Sequence, residues 1–307
     1  MKLIKPSFNI IEQQSGLEGI HKQIEMAGRT CYKSEDKITE DSAKEFVDRM
    51  IKSGHGAMLE HGTIYFKIPA NIDVAGNFLD EVSTWTKCKH ITCSEGNWWA
   101  VTTNLRVMVE HFAPEYIEEL IAKYQCEPTE YHERRVTVKF ICDRGVSHEF
   151  VRHRVFSFAQ ESTRYCNYSK DKFGNEITCI LPPWLSENDL PKGFGYTSDD
   201  WGSLICEFYY EATEKGKSEG FTIEPVRNFV FALQTSEQLY FSLLKEGWKP
   251  QEARAILPNA LKTELVMTGF VSDWKHFFEL RCAGSAHPQA KELAQPLHQE
   301  FIKRKYI

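Results

Sequence analysis

Apolar and polar positions change period several times along the 307-residue chain, and each change marks an element. Leu17, Ile20, Ile24 and Ala27 recur at helical spacing and predict a helix over 17–28; a second is predicted over 42–52. From 63 to 68 the period falls to two, with Ile64, Phe66 and Ile68 alternating against Thr63, Tyr65 and Lys67, which predicts a strand. Val136, Val138, Phe140 and Cys142 repeat that alternation over 136–142, and 98–103 and 177–181 are weaker strand candidates. The last third reads as helical. Thr235 and Gln238 have the spacing of a capping box ahead of Tyr240, Leu243 and Leu244. Gly247 stops that helix, and Pro250 opens a short one that ends before Pro258. Pro288 opens the final helix, whose stripe is Ala290, Leu293, Ala294, Leu297 and Phe301.

Strands come in a run and helices come in a run, without regular βαβ alternation. The pattern predicts an α+β fold, a mostly antiparallel sheet packed with helices, and not a Rossmann fold. Neither repeats nor a Gly/Ser-rich linker interrupts the chain, so a single domain is expected across 1–307. The chain has no G-x-G-x-x-G and no Walker loop, so any dinucleotide is held another way.

Charge narrows the partners. At a formal net charge of -6 the chain lacks the basic excess of a protein that lives on duplex DNA, and a small phosphorylated ligand fits it better. No apolar run approaches the roughly 20 residues that cross a bilayer, and residues 1–9 lack the apolar core of a secretory signal. A cytoplasmic protein is expected, with neither membrane nor nucleic acid as partner. The nine cysteines are odd in number and form no C-x-x-C pair. They read as free thiols in a reducing compartment, and no metal site is expected.

The densest chemistry is Arg152-His153-Arg154, seven residues, then Ser162-Thr163-Arg164. Guanidinium forks match phosphate and pyrimidine oxygens bidentately, and a hydroxyl with nearby backbone N–H groups can complete a phosphate cradle. On one helix, side chains 152 and 154 would point roughly 200° apart. Either they leave the helix or they serve two ligands. Ser162 and Arg164 share a side only if their segment is extended. A plainer reading is a solvated basic turn paired with Glu149 and Glu161.

The whole pattern, RHRVFSFAQESTR, resembles the signature of the flavin-dependent thymidylate synthases. Glu60-His61 before the 63–68 strand, Arg254 before Ile256-Leu257-Pro258, and Leu280-Arg281 followed by His287-Pro288 resemble other family anchors. The resemblance implies FAD as cofactor, NADPH and methylenetetrahydrofolate as co-substrates, and dUMP as substrate. It implies that Arg152, His153 and Arg154 hold FAD, with Arg152 also touching the nucleotide. His61, Thr63, Gln160, His276 and His287 are further cofactor candidates. It also implies a dUMP pocket lined by Glu149, Gln160, Glu161, Ser162, Thr163 and Arg164, with Arg254 on the phosphate. Arg281 is the implied activator of the uracil ring, because a cation beside the ring favours its ionised form. Family members are homotetramers with shared active sites, which is the implied assembly here. Departures are clear: compact members lack the intervening residues 69–135 and 182–222. The family's Asn-x-Arg flavin contact falls near Phe270 and Ser272, where neither residue is kept. Two competing readings are a pyrimidine nucleotide hydroxymethylase of the same fold and a non-catalytic nucleic-acid-binding module.

Overall fold

The computed structural model describes residues 1–70, 87–93, 97–186 and 225–307. Its strands are β1 (Lys2–Ile4), β2 (Ser7–Ile11), β3 (Thr63–Pro69), β4 (Lys89–Cys93), β5 (Trp98–Asn104), β6 (Arg135–Asp143), β7 (Ser157–Gln160), β8 (Thr178–Ile180) and β9 (Lys262–Phe270). Its helices are α1 (Gly16–Tyr32), α2 (Ser42–Lys52), α3 (Gly56–Leu59), α4 (Leu105–His111), α5 (Pro114–Tyr124), α6 (Arg144–Phe150), α7 (Pro225–Lys245), α8 (Pro250–Ala253), α9 (Val271–Arg281) and α10 (Pro288–Lys303). Among the described residues every strand pair is antiparallel except β1 with β8, so the α+β, mostly antiparallel architecture expected from the sequence is what forms.

Two compact units divide the chain, one of Pro6–Cys166 with Lys262–Ile307 and one of Met1–Lys5 with Asn167–Leu261. The first is built on a four-stranded sheet of order β2-β6-β9-β7. The alternation in β6 works as the sequence predicts: Val136, Val138, Phe140 and Cys142 enter one core with Leu265 and Met267 of β9. Helices α9 and α10 close that core, with Trp274 at its centre and the predicted α10 stripe wholly buried. The other face of the same sheet is unlike it. Side chains alternate along a strand, so Thr137 and Lys139 of β6 share a face with Glu264, Val266 and Thr268 of β9. This face is largely polar yet mostly buried, with Val266 joining an apolar core. His61 Nδ1 lies 2.8 Å from Thr268 Oγ1, which lies 2.8 Å from Thr137 Oγ1.

A second core in this unit joins Ile20 and Ile24 of α1, Phe46 of α2, Phe66 of β3 and Leu120 of α5. Its sheet has order β3-β5-β4. Strands β4 and β5 and helices α4 and α5 all fall in the 69–135 stretch. Val101, Val107, Met108 and Leu120 from that stretch are buried in the core. The described part of this stretch is therefore structural material, not a surface loop.

In the other unit, β1 and β8 pair in parallel, with Leu3 opposite Cys179. The Met1 amino group lies 3.0 Å from Glu237 of α7, whose other carboxylate oxygen accepts from the Ile177 N–H at 2.8 Å. Most of the 182–222 stretch lies outside the described residues.

Two expectations about the last third are corrected. Thr235 does not cap a helix: α7 spans Pro225–Lys245, and the Thr235 hydroxyl donates back to the Phe231 carbonyl at 2.8 Å within it. Nor is the region helical throughout, because 262–270 forms β9, an inner strand of the main sheet. The predicted stop at Gly247 holds, with φ at +94°, a conformation glycine adopts without steric penalty.

Candidate active site

Helix α6 delivers the signature. Asp143 accepts from the Val146 N–H at 2.8 Å and caps the helix, which ends at Phe150. The chain then turns, with the His153 N–H on the Phe150 carbonyl and the Phe156 N–H on the His153 carbonyl, each at 3.1 Å. His153 and Phe156 point inward, while Arg152 and Arg154 are exposed. The two arginines thus lie beyond the helix. Phe156 pins the turn to the core: its ring meets Trp274 edge-on at 4.7 Å and covers Gly269 of β9. A Cβ at Gly269 would stand 2.4 Å from that ring, so no larger residue fits there.

Arg281, the last residue of α9, is held from the signature side. Its Nη1 donates to Glu149 Oε2 at 2.6 Å, its Nη2 to the Glu149 carbonyl at 2.7 Å, and its Nε to His153 Nε2 at 3.0 Å. Three of the five guanidinium N–H donors are thereby used, and one remains on each Nη. Because His153 Nε2 accepts, its proton is assigned to Nδ1 and the ring is neutral. Burial, with Arg281 and His276 nearby, pushes the His153 pKa down to about 4. His61 is pushed to about 3 by burial and Arg135, against the opposing pull of Glu60. His21 and His132 are shifted the same way, chiefly by burial.

These shifts have a sign that can be measured. Each imidazole is neutral when folded but takes a proton near pH 6.5 when unfolded, so the unfolded chain binds more protons between pH 6.5 and the folded pKa. Stability is full above pH 6.5 and is lost as pH falls toward about 4 and then 3. Melts at pH 7, 6 and 5 should show a steadily falling Tm, in a window where carboxylates contribute little. A Tm that stays flat from pH 7 to 5 would contradict buried neutral imidazoles.

The second half of the signature follows β7. Gln160 donates to Ser147 Oγ at 2.8 Å and lies 3.3 Å from Thr263 Oγ1, which ties β7 to α6 and β9. Residues 162–166 form a turn in which the Tyr165 and Cys166 N–H groups both reach the Ser162 carbonyl at 3.1 Å. The segment is therefore not extended. Arg164 is exposed and Ser162 half-buried, and Ser162 Oγ accepts from the Arg164 N–H at 3.4 Å. Thr163 is buried. Glu161 is 2% exposed and turns inward: Oε2 accepts from Lys262 at 2.8 Å and Oε1 from the Cys166 thiol at 3.8 Å. Cys166 is itself buried, which leaves its thiol poorly placed as a nucleophile.

The remaining candidates are more dispersed. His61 is wholly buried and shows no ring face at the surface. Thr63 is buried beside Arg135, whose Nη1 donates to its hydroxyl at 3.3 Å. His276 is exposed, with its ring 6.3 Å from that of His153. His287 is exposed at the N-terminus of α10. Arg254 is exposed in the other unit. So the structure brings Glu149, His153 and Arg281 into direct contact and sets Arg152, Arg154 and His276 around them.

The sequence reading passed over a cluster of charges beside this site. Glu264 accepts from Lys33, from Lys139 at 2.6 Å and from Lys262 at 2.7 Å, and Lys33 also reaches Glu35 at 3.1 Å. Burial opposes the Glu264 charge, but the three ammonium groups outweigh it and hold the carboxyl far below its usual range. The only signal was the period-two placement of Lys262 and Glu264, in a stretch that read as helix.

Comparison with known proteins places these features. The family described as thymidylate synthase complementing protein matches residues 14–80 and 87–304. A flavin-dependent thymidylate synthase of Corynebacterium aurimucosum is 24% identical over 285 residues, covering 92% of this chain and 76% of that protein. One from Pyrococcus abyssi is 27% identical over 166 residues, about half of each chain at 54% and 53%. A solved UMP/dUMP methylase from Streptomyces cacaoi, bound with 5-Br dUMP, aligns over 99% of this chain and 93% of its own, at 15% identity and a TM-score of 0.41. With the profile match spanning nearly the whole chain and the full arginine–serine signature in place, the chain belongs to the thymidylate synthase complementing protein family, the flavin-dependent thymidylate synthases.

Proposed function

We propose that the chain methylates dUMP to dTMP, with FAD as cofactor, NADPH as reductant and methylenetetrahydrofolate as carbon donor. The observation that supports this most is the fixed position of Arg281. Glu149 and His153 hold its guanidinium next to the signature turn and leave one N–H on each Nη for a ligand. An oriented cation at the edge of a uracil ring stabilises the negative charge that develops as the ring ionises. Ring carbon can then attack the methylene group without a protein thiol, in keeping with the buried position of Cys166.

The residues also suit a flavin dinucleotide. Arg152 and Arg154 are exposed cations of the kind that bind a diphosphate, and exposed His276 and His287 add ring surface and donors. Bound FAD would supply the hydride that completes the methyl group. Arg164 and the Ser162 hydroxyl suit the dUMP phosphate. Glu149, Gln160 and Thr163 complete the proposed pocket. The proposed assembly is a cytoplasmic homotetramer with shared sites. Among the described residues no helix is long and apolar enough to cross a membrane.

Purified protein should be yellow, should bleach on anaerobic addition of NADPH, and should form dTMP when dUMP and methylenetetrahydrofolate are added. Colourless protein that FAD cannot reconstitute would defeat the reading. A hydroxymethylated product would point instead to a relative that omits the final reduction.

A further inference from the structure

Glu161 sits inside the signature, yet its carboxylate is turned into the protein. Both oxygens are taken, by Lys262 and by the Cys166 thiol, and the side chain is almost wholly buried. Its backbone extends the sheet, since its N–H donates to the Glu264 carbonyl at 2.8 Å. The next residue is fixed as well, because the Ser162 N–H donates to the Cys31 carbonyl at 3.0 Å. Beyond that point the turn over 162–166 closes on itself and presents Ser162 and Arg164 outward.

Lys262 links this turn to the sheet. Its ammonium bridges Glu161 Oε2 at 2.8 Å and Glu264 Oε1 at 2.7 Å, and Glu264 is anchored in turn by Lys33 and Lys139. A buried carboxylate that loses its cation is strongly unfavourable, because a long thiol contact is too weak to offset its desolvation. The pair therefore sets where the base of the turn can lie.

We propose that Lys262 and Glu161 are positioning residues, whose buried ion pair holds the turn of residues 162–166 so that Ser162 and Arg164 present one rigid cradle to the phosphate of a nucleotide. The inference rests on the proposed binding of dUMP and adds to it two residues that touch no ligand.

The test uses the flavin-loaded protein and four chains: unchanged, Lys262→Met, Lys262→Arg and Glu161→Gln. Glu161→Gln keeps the shape of the side chain without stranding a buried charge, so it reads the pair even if Lys262→Met fails to fold. Titration calorimetry gives Kd for dUMP, absorbance gives flavin content, and amide hydrogen exchange reads residues 162–166 without nucleotide. Lys262→Met and Glu161→Gln should raise Kd about tenfold, a loss of ~1.4 kcal/mol, with flavin retained and exchange across the turn accelerated. Lys262→Arg should restore most of the affinity. Unaltered Kd and exchange in Glu161→Gln would overturn the proposal. So would loss of dUMP and flavin together without rescue by arginine, which marks a general staple of the fold. If the unchanged chain bound no dUMP, the functional reading would fall, while the exchange data would still decide whether the pair holds the turn.

Discussion

Arg281→Ala should lower kcat for dTMP formation by about 10²–10³-fold, the usual effect of removing one oriented donor from a site where charge develops. The substitution removes all three bonds that Glu149 and His153 receive, so a variant that keeps charge but loses the fork makes the necessary comparison. Lysine is a point charge on a flexible stem and cannot bond Glu149 and His153 as a planar fork does. Arg281→Lys should therefore recover only a small part of the rate. Arg164→Ala should behave differently. An exposed cation on the phosphate acts equally before and during reaction, so its loss should mainly raise KM for dUMP. NADPH oxidation should be followed separately from dTMP, because flavin reduction need not fail when methyl transfer does. If Arg281→Ala kept its turnover and lost only affinity, the residue would be a second binding arginine.

The largest effect on stability is expected from Trp274→Ala. The indole is fully buried, packs on Phe156, Phe277, Phe278 and Phe301, and donates through Nε1 to the Val136 carbonyl at 3.1 Å. Truncation leaves a cavity ringed by stiff aromatic side chains and removes the indole's bond to the Val136 carbonyl. The expected loss is about 3–5 kcal/mol, or roughly 10 °C in Tm for a unit of this size. Trp274→Phe should lose much less, since it keeps most of the packing and gives up the hydrogen bond. Urea unfolding followed by near-UV circular dichroism would measure both. A change under 1 kcal/mol for alanine would show that the core collapses around the gap. Because Phe156 rests on Trp274 and follows the signature turn directly, weaker packing there should also loosen Arg152 and Arg154.

Elements with one apolar and one solvent-facing side were legible from sequence. Helix α2 falls on the predicted 42–52, and α10 buries the stripe read from Ala290 to Phe301. Strand β6 was legible because Val136, Val138, Phe140 and Cys142 are all apolar. Strand β9 was not. Its Leu265 and Met267 meet the aromatic core, while Glu264 and Thr268 are buried by ion pairs and hydrogen bonds on the opposite side. Hydrophobic periodicity cannot register a face that is buried and polar. The same limit applies to the site. Arg152, His153, Arg154 and Arg281 stood out as chemistry in a known pattern, but the contact of Lys262 with Glu161 spans 101 residues of sequence. Thr235 misled for a local reason, since hydroxyl residues both cap helices and bond back within them.

The two unlike faces of the main sheet make its threading self-correcting. A shift of β9 by one residue would turn Leu265 and Met267 into the ionic layer and Glu264 and Thr268 into the aromatic one, an error penalised on both sides at once. Strand β9 runs into α9 with no loop between them, and α9 ends at Arg281. Displacing the strand by one residue, ~3.3 Å, would carry that guanidinium out of reach of Glu149. The position of Arg281 is thus written in the pairing of a strand, by side chains that form neither of its contacts with Glu149 and His153.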